Sequence, residues 1–254
     1  MPTFDLTGRT ALVTGSSRGI GRGLATALAE AGARVVVHGR SPETAQAAAQ
    51  RIAEETGATT LGLAFDVTDE DQVGAGIAEL EERWGTPDIL VNNAGMQKRA
   101  PIGEFAMQDW EQLLATNLTS AFLLSRAVSG GMTERGSGKI ITIGSVQSRL
   151  ARPGIAPYCA TKGGVVMLSQ GLCADLSPHG VQVNAIAPGY FATELTQPLV
   201  EEEEFSAWVR SRTPAGRWGQ LEDLSGAVVF LASSASDFIT GQTLYVDGGM
   251  TSVV

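Results

Sequence analysis

Thr10-Ala-Leu-Val-Thr-Gly-Ser-Ser-Arg-Gly-Ile-Gly21 runs from an apolar, β-branched segment through three glycines into the helix-like residues 24–30. The order predicts a strand, a tight turn and a helix. Glycines let a backbone turn sharply and approach a pyrophosphate, whose charge is stabilised by amides at the helix N-terminus. The spacing Gly-x-x-x-Gly-x-Gly departs from the commoner Gly-x-Gly-x-x-Gly, and such a turn alone could be a tight connection. Its place after the first strand of a strand–helix series favours a dinucleotide site.

Six more short apolar runs follow, separated by helical stretches: Val35-Val-Val, Leu61-Gly-Leu-Ala-Phe, Ile89-Leu-Val, Ile140-Ile-Thr-Ile, Val181-Gln-Val-Asn-Ala-Ile-Ala and Thr243-Leu-Tyr-Val. Strands that are apolar throughout and separated by helices belong to a parallel sheet covered on both faces. The sequence therefore predicts an α/β fold, a doubly wound seven-stranded parallel sheet with helices on both faces. No linker, repeat or low-complexity tract interrupts the series, so residues 1–254 are expected to form a single catalytic domain.

Polar or glycine-rich segments follow several of these strands: the glycine turn, Asp66-Val67, Asn92-Asn-Ala-Gly95, Ser145 and Pro188-Gly189. Ligands of parallel sheets bind at the carboxyl edge of the strands, where the strand order reverses. We therefore expect these segments to lie along one edge, which is the candidate site.

Ser145 and Tyr158-Cys-Ala-Thr-Lys162 carry the residues suited to proton transfer. Tyr158 and Lys162 stand four apart in a predicted helix, so both side chains point the same way. The cation is expected to lower the pKa of the phenol towards working pH, where proton exchange with a substrate oxygen is efficient. Ser145 can donate to the same oxygen. A surface pair on a helix is the alternative for Tyr-x-x-x-Lys taken alone.

Composition excludes several classes of function. The net charge of −9 disfavours nucleic acid and anionic membranes as partners. The acidic run at 201–204 reads as the solvated first turn of a helix. Cys159 and Cys173 are expected in one helix, too far apart to bridge. No metal-ligand cluster, signal peptide or membrane-spanning run is visible, so we expect a cytoplasmic protein without a metal.

The whole set of motifs resembles the short-chain dehydrogenase/reductase family from end to end. The resemblance implies a Rossmann-type fold, a nicotinamide cofactor and a catalytic tetrad of Asn117, Ser145, Tyr158 and Lys162. Tyr158 is then the general acid/base, Ser145 the clamp on the substrate oxygen, and Lys162 a ligand of the nicotinamide ribose, with Asn117 holding a water between Lys162 and solvent. The expected cofactor-binding residues are Gly15, Ser17, Arg18, Gly19, Ile20, Gly21, Arg40, Ser41, Asp66, Val67, Asn93, Ala94, Gly95, Tyr158, Lys162, Pro188, Gly189 and Thr193.

The end of the second strand, Val37-His-Gly-Arg-Ser41, bears on the choice of cofactor. Enzymes that use NAD place an acid here against the ribose 2′-hydroxyl, whereas those that use NADP place basic groups near a 2′-phosphate. No acid is present, and Arg40 and Arg18 can bind a phosphate, with Ser41 as a further donor. Alternatively, Ser41 caps a helix and Arg40 is solvated. Both can hold, and the charges favour NADP(H) over NAD(H).

Several longer segments resemble the gluconate 5-dehydrogenase branch of this family, with a substrate loop at about 189–218. They are residues 91–99, 145–148, 152–158 and 187–194, Phe205-x-x-Trp208 and residues 212–219. The branch implies oxidation of gluconate at its C5 hydroxyl. Lys98, Arg99 and Arg152 can meet a carboxylate, and Gln147 and Glu194 can bind hydroxyls. The full set of expected substrate-binding residues is Lys98, Arg99, Ser145, Gln147, Arg152, Tyr158 and Tyr190.

Two rival functions remain at this point. A 3-oxoacyl-[acyl-carrier-protein] reductase shares the tetrad, but it needs a basic surface for an acidic carrier, which an acidic protein offers less well. A non-catalytic nucleotide-sensing protein is expected to have lost tetrad members, and all four are present. The family also implies a homotetramer, assembled through the helix after Tyr158 and the apolar tail 246–254.

Overall fold

The seven predicted strands form one parallel sheet. A computed structural model describes residues 3–194 and 196–253. Four residues of the predicted domain lie outside the described residues: Met1, Pro2, Leu195 of the predicted substrate loop and Val254 of the predicted apolar tail. The strands run in the order β3-β2-β1-β4-β5-β6-β7. Their bounds are β1 (Thr10–Val13), β2 (Arg34–Gly39), β3 (Thr60–Ala64), β4 (Ile89–Asn92), β5 (Gly138–Ile143), β6 (Val181–Pro188) and β7 (Thr243–Val246). The predicted fold class is confirmed.

Helices cover both faces of this sheet. They are α1 (Gly19–Glu30), α2 (Pro42–Thr56), α3 (Glu70–Trp84), α4 (Met107–Leu114), α5 (Ser120–Arg135), α6 (Ala156–Leu176), α7 (Gln197–Glu201), α8 (Glu203–Arg212) and α9 (Glu222–Ala232). The predicted helix holding Cys159 and Cys173 is α6, and both thiols are free. The acidic run is divided, because Glu201 ends α7 while Glu203 and Glu204 open α8.

Side chains of the central strands alternate between two cores. In β1, Ala11 and Val13 pack with α1, α2 and α9, whereas Leu12 packs on the opposite face with α3 and α5. In β2, Val35 and Val37 join the first core and Val36 the second. This period of two, with apolar residues in both registers, explains why the runs read as continuously apolar.

The strand order reverses between β1 and β4. The chain winds outward from β1 through β2 to β3, then returns to place β4 on the other side of β1 and continues to β7. Helices therefore diverge above the carboxyl ends of β1 and β4, and a crevice opens there. The polar segments predicted to meet at one edge all follow strands whose carboxyl ends share this edge.

Candidate active site

The glycine turn joins β1 to α1 and is packed on its inner side. Gly15 (φ +61°) and Gly19 (φ +57°) adopt the left-handed conformation that favours glycine. A Cβ on Gly21 would lie 2.3 Å from both Asn93 Nδ2 and the carbonyl oxygen of Gly15. A Cβ on Gly19, in contrast, would meet no atom within 4 Å. The turn is therefore close-packed at Gly21 and open at Gly19, which leaves space for a ligand against its backbone.

The N-terminus of α1 lacks a side-chain cap. Arg18 stands at its N-cap position and makes no capping hydrogen bond, whereas Ser41 caps α2 and Asp69 caps α3. Uncapped amides at a helix N-terminus, together with the helix dipole, stabilise an anion. The residues at this turn therefore fit a pyrophosphate.

The segment after β4 is fastened to the glycine turn. Asn93 Nδ2 donates to the carbonyl oxygens of Thr14 (2.8 Å) and Gly15 (3.1 Å). The hydroxyl of Thr14 accepts the amides of Asn93 (3.0 Å) and Ala94 (3.1 Å). The predicted cofactor residues Asn93 and Ala94 are thereby brought to Gly15, and Gly95 follows directly. Asn92 instead donates to Ser125 in the core (3.0 Å).

The carboxyl end of β2 carries the residues predicted to select the cofactor. Arg18 and Arg40 are exposed, and neither forms an ion pair with any residue that the structure describes. Ser41 accepts the amide of Thr44 (3.4 Å) and so caps α2, as the alternative interpretation held. Asp66, after β3, accepts the amide of Thr68 (2.9 Å). Cationic side chains without an acidic partner are suited to a phosphate.

The catalytic candidates are brought together from three elements. Tyr158 and Lys162 lie on α6, Ser145 follows β5, and Lys162 Nζ is 5.9 Å from the centre of the Tyr158 ring. Lys162 Nζ donates to the carbonyl oxygen of Ile143 at 2.7 Å. The Ser145 hydroxyl lies near enough to the Tyr158 hydroxyl to affect the pKa of the phenol. A substrate oxygen can therefore meet both hydroxyls at once.

The predicted lowering of the Tyr158 pKa is wrong for this structure. Burial raises the pKa of Tyr158 to about 12, and the hydrogen bond from Ser145 lowers it by less. Burial also lowers the pKa of Lys162 to about 8. Desolvation disfavours the charged form of each group, and this outweighs the attraction expected from the spacing. The first proton to leave the pair as the pH rises is the one on Lys162.

Asn117 lies in a π-helical turn (Ala115–Thr119) between α4 and α5. Its Nδ2 donates to the carbonyl oxygen of Met96 (2.9 Å) and to the hydroxyl of Thr161 (3.2 Å). Its Oδ1 accepts the amide of Met96 (2.8 Å). The side chain thus fastens the loop after Gly95 to α6, beside Lys162. Both ends of its amide group are thus engaged by protein partners.

The substrate side of Tyr158 is formed by Gln147, Tyr190 and two arginines. Ser145 Oγ donates to Gln147 Oε1 (2.8 Å), and Gln147 Nε2 donates to the Tyr190 hydroxyl (3.3 Å). Burial lowers the pKa of Arg99, and the nearby charge of Arg152 lowers it further. Neither guanidinium forms an ion pair within residues 3–194 and 196–253. Arg152 Nε is buried without a hydrogen-bond partner in the same ranges. Two cations without an ion-pair partner in the described residues, beside a proton donor, fit a carboxylate.

Lys98, a predicted substrate residue, has an acidic partner. Its ammonium forms an ion pair with Asp109 in α4 at 3.1 Å, and both side chains are exposed. Burial and then the charge of Arg152 lower the pKa of Arg99, and Lys98 is not among the groups that shift it. The charge of Lys98 is already compensated, so Arg99 and Arg152 are better placed to meet an anion.

An aromatic cluster closes this side and was not predicted as a unit. Tyr190 meets Phe205, Trp208 and Trp218 edge to face, with ring centres 5.6, 5.8 and 5.8 Å apart. Arg152 lies over Phe205, 5.1 Å from its ring centre. The spacing of Phe205 and Trp208 places both on one face of α8 and is the one signal that the sequence offered. The cluster positions Tyr190 and Arg152 from the side opposite Tyr158.

The segment that carries the cluster is closed at its base. Ala192 donates to the carbonyl oxygen of Gly219 (2.9 Å), and the amide of Gly219 donates to Tyr190 (2.9 Å). At its start, Gly189 donates to Val246 of β7 (2.9 Å). Thr193, a predicted cofactor residue, hydrogen-bonds to Thr196 (3.0 Å) above this base. The predicted loop at 189–218 therefore leaves the sheet edge and returns to it.

No group of three or more His, Cys, Asp or Glu side chains suited to a metal occurs among the residues that the structure describes. In the same part of the chain, none of the helices combines the length and apolar character needed to cross a membrane.

A family profile described as enoyl-(acyl carrier protein) reductase matches residues 15–251. The chain belongs to the short-chain dehydrogenase/reductase family. Gluconate 5-dehydrogenase of Gluconobacter oxydans is 54% identical over 98% of this chain and 96% of that protein. The 3-oxoacyl-[acyl-carrier-protein] reductase of Escherichia coli is 39% identical over 97% of this chain and 99% of that protein.

A solved structure of another short-chain dehydrogenase/reductase family member is similar throughout. It is a gluconate 5-dehydrogenase from Burkholderia cenocepacia in complex with NADP and tartrate, with a TM-score of 0.96 and 55% identity, covering 99% of this chain and 98% of that chain. The predicted family and fold are thereby confirmed.

Proposed function

We propose that this protein is an NADP(H)-dependent oxidoreductase that interconverts D-gluconate and 5-dehydro-D-gluconate. The observation that carries the proposal is the pair Arg99 and Arg152, which lies beside Tyr158 and forms no ion pair in the described ranges. Similarity to a gluconate 5-dehydrogenase at 54% identity supports it. The tetrad supplies proton transfer, and the two arginines supply recognition of an acid.

Tyr158 and Ser145 act on the C5 oxygen. In the oxidation, Tyr158 takes up the hydroxyl proton as it releases its own, while the Ser145 hydroxyl turns from Gln147 Oε1 to donate to the same oxygen and fix its position. NADP, when bound, supplies the acceptor for the C5 hydride. The proton that leaves Tyr158 is taken up by Lys162, which is neutral above its lowered pKa of about 8. The reverse reaction returns that proton to the ketone oxygen.

The substrate carboxylate is placed at Arg99 and Arg152, and a hydroxyl between them and C5 is placed at Gln147. Gln147 already bridges Ser145 and Tyr190. Its side-chain oxygen can also accept a hydrogen bond from a hydroxyl of the substrate and so position that hydroxyl relative to Ser145. Arg99 is exposed, but Arg152 Nε is buried without a hydrogen-bond partner in the described residues, and that burial is costly in the free protein. A bound carboxylate removes that cost, which favours an acid over a neutral polyol.

Preference for NADP(H) rests on Arg18 and Arg40. Both are exposed at the edge beside the glycine turn, and the end of β2 carries no acid that would bind a ribose 2′-hydroxyl. Charge-assisted bonds from guanidinium groups favour the 2′-phosphate. NAD(H) is the less favoured cofactor.

The assembly is proposed to be a homotetramer working in the cytoplasm, where NADP(H) is available and free thiols such as Cys159 persist. Exposed apolar side chains support the oligomer: Phe122 on α5, Met167 on α6 and Leu244 on β7. Met250, in the predicted apolar tail, is instead buried in the core. Light scattering at micromolar concentration should give four times the chain mass; a monomer mass would contradict the assembly.

A single panel of assays tests the function. Purified protein is given NADP with gluconate and other sugar acids, with glucitol as a neutral polyol, and NADPH with 5-dehydrogluconate or acetoacetyl thioester. We expect kcat/KM to be highest for gluconate and 5-dehydrogluconate. Efficient reduction of the thioester together with no activity on either sugar acid would assign the protein to acyl-thioester reduction and leave the tetrad in place.

A further inference from the structure

His38 lies at the carboxyl end of β2, between the glycine turn and the end of β3, and is 2% exposed. Its Nδ1 accepts the amide of Gly15 (3.1 Å), and its Nε2 lies 3.0 Å from the carbonyl oxygen of Phe65. An amide can only donate, and a carbonyl can only accept. The ring is therefore neutral, with its proton on Nε2.

The backbone of His38 holds the next residue of the turn. The amide of Ser16 donates to the carbonyl oxygen of His38 (2.9 Å), and the amide of His38 donates to Ser16 Oγ (2.9 Å). Ser16 Oγ in turn donates to Val13 at the end of β1 (2.6 Å). Two successive residues of the turn are thus fastened to one residue of β2.

The regular pairing of β1 with β2 ends at Val13 and Val37, one residue before His38. Beyond this point the backbone of Gly15 leaves the sheet, so no strand partner is available for its amide. The His38 ring supplies the missing acceptor, while Asn93 Nδ2 donates to the carbonyl oxygen of Gly15 from the other side (3.1 Å). The peptide groups of Gly15 are fixed from both neighbouring strands.

We propose that His38 is a positioning residue for the cofactor: its neutral imidazole holds the glycine turn in the shape that receives the pyrophosphate. The inference rests on the proposed function, because NADP(H) affinity is its readout. His38 touches neither the reacting atoms nor the tetrad, so its loss should weaken binding of the cofactor and leave the chemical step intact.

Two substitutions of similar shape separate the acceptor from mere packing. In H38N, Oδ1 occupies the position of Nδ1 and can accept the amide of Gly15; in H38L, a methyl group stands there instead. H38L leaves a buried donor unpaired and should raise the Kd and KM for NADP(H) about tenfold, while kcat at saturating cofactor changes by less than about twofold. H38N should keep the Kd within about threefold of the wild type. The exposed His179, changed to leucine, is the matched control and should have no effect.

The Kd is measured from the fluorescence of NADPH, and folding from circular dichroism and thermal unfolding. Equal Kd values in folded H38L and wild type, or a fall in kcat without a rise in KM, would overturn the inference while the function stood. A wild type that binds neither NADPH nor NADH would overturn the function itself. If H38L does not fold, ¹⁵N NMR of the wild type decides: a ring protonated on Nδ1 at neutral pH contradicts the proposal, and one protonated on Nε2 alone supports it.

Discussion

The two sides of the candidate site are built from different parts of the chain. On the cofactor side, backbone atoms form the surface: the turn from Gly15 to Gly21 is held by a hydrogen bond that Asn93 donates and by one that His38 accepts. On the substrate side, side chains form the surface, with Arg99, Arg152 and the aromatic cluster at its centre. A backbone surface recognises what all nucleotide cofactors share. A surface of side chains can be changed one residue at a time, so specificity can change there while the cofactor side stays fixed.

Tyr158 stands where the two sides meet, and its loss should have the largest effect. Tyr158→Phe should lower kcat by a factor of roughly 10² to 10⁴, the usual contribution of a positioned general acid/base. Binding of NADPH, measured by fluorescence, should be nearly unchanged. Near-wild-type turnover of the variant at saturating cofactor and gluconate would show that another group transfers the proton.

Gly21→Ala tests the backbone surface. The added Cβ would lie 2.3 Å from Asn93 Nδ2 and from the carbonyl oxygen of Gly15, so the turn must shift. Overpacking of this kind costs about 1–3 kcal/mol, which corresponds to a KM for NADP(H) raised roughly 5- to 150-fold. Gly74→Ala in α3, where a Cβ meets nothing within 4 Å, is the matched control and should leave the KM unchanged. If both variants bind the cofactor equally well, the turn is not the close-fitting surface described here.

Arg99→Ala tests the surface of side chains. A desolvated charge-assisted bond to a carboxylate is worth roughly 1.5–3 kcal/mol, so kcat/KM for gluconate should fall by about one to two powers of ten. A small neutral ketone should be reduced almost as before. Lys98→Ala removes the adjacent cation, which Asp109 already pairs, and should change kcat/KM little. Equal losses in the two variants would point to general attraction of anions rather than to a specific contact.

Arg40→Asp tests whether a side chain on the cofactor side selects NADP over NAD. The change removes a cation from the expected 2′-phosphate position and places an acceptor near a ribose hydroxyl, so the ratio of kcat/KM for NADP over NAD should fall about tenfold. Arg18 remains and should limit the shift. Arg51→Asp, an exposed charge reversal in α2, controls for the change in net charge. An unchanged ratio would make Arg40 a solvated surface residue.

The smallest expected effect is on the pH dependence. The pKa of Lys162 is lowered to about 8 and that of Tyr158 is raised to about 12, so the pair loses its first proton as the pH rises through about 8. A pair that has lost this proton can accept one from the alcohol. Oxidation of gluconate should therefore speed up through about pH 8, and reduction of 5-dehydrogluconate should slow down over the same range. Measuring kcat from about pH 6 to about pH 10 in both directions checks this, and parallel profiles would contradict it.

The backbone side of the site was predictable from sequence because few residue types satisfy its geometry. Left-handed conformations at Gly15 and Gly19 and the lack of space at Gly21 leave glycine as the suitable residue, so the spacing reveals the turn. The seven apolar runs revealed the sheet for the same reason, since strands buried on both faces admit few polar residues.

The side-chain surface was less predictable because its properties depend on distant neighbours. The pairing of Lys98 with Asp109, the burial that raises the pKa of Tyr158 and the contacts of Asn117 all arise from tertiary packing. The role of His38 was not predictable, since an isolated histidine in a sequence does not indicate that its ring accepts a hydrogen bond from a backbone amide.

The hydrogen bonds that join Tyr190 and Ala192 to Gly219 have a consequence for divergence within the family. They close the substrate segment at its base, so the residues between can be exchanged without altering the strands that bear the tetrad. The entropy of closing a loop grows slowly, by about 0.6 kcal/mol for each doubling of length. A segment of different length or sequence at this position therefore adds little to the free-energy cost of loop closure. The substrate segment can vary between family members while the strands that bear the tetrad stay the same.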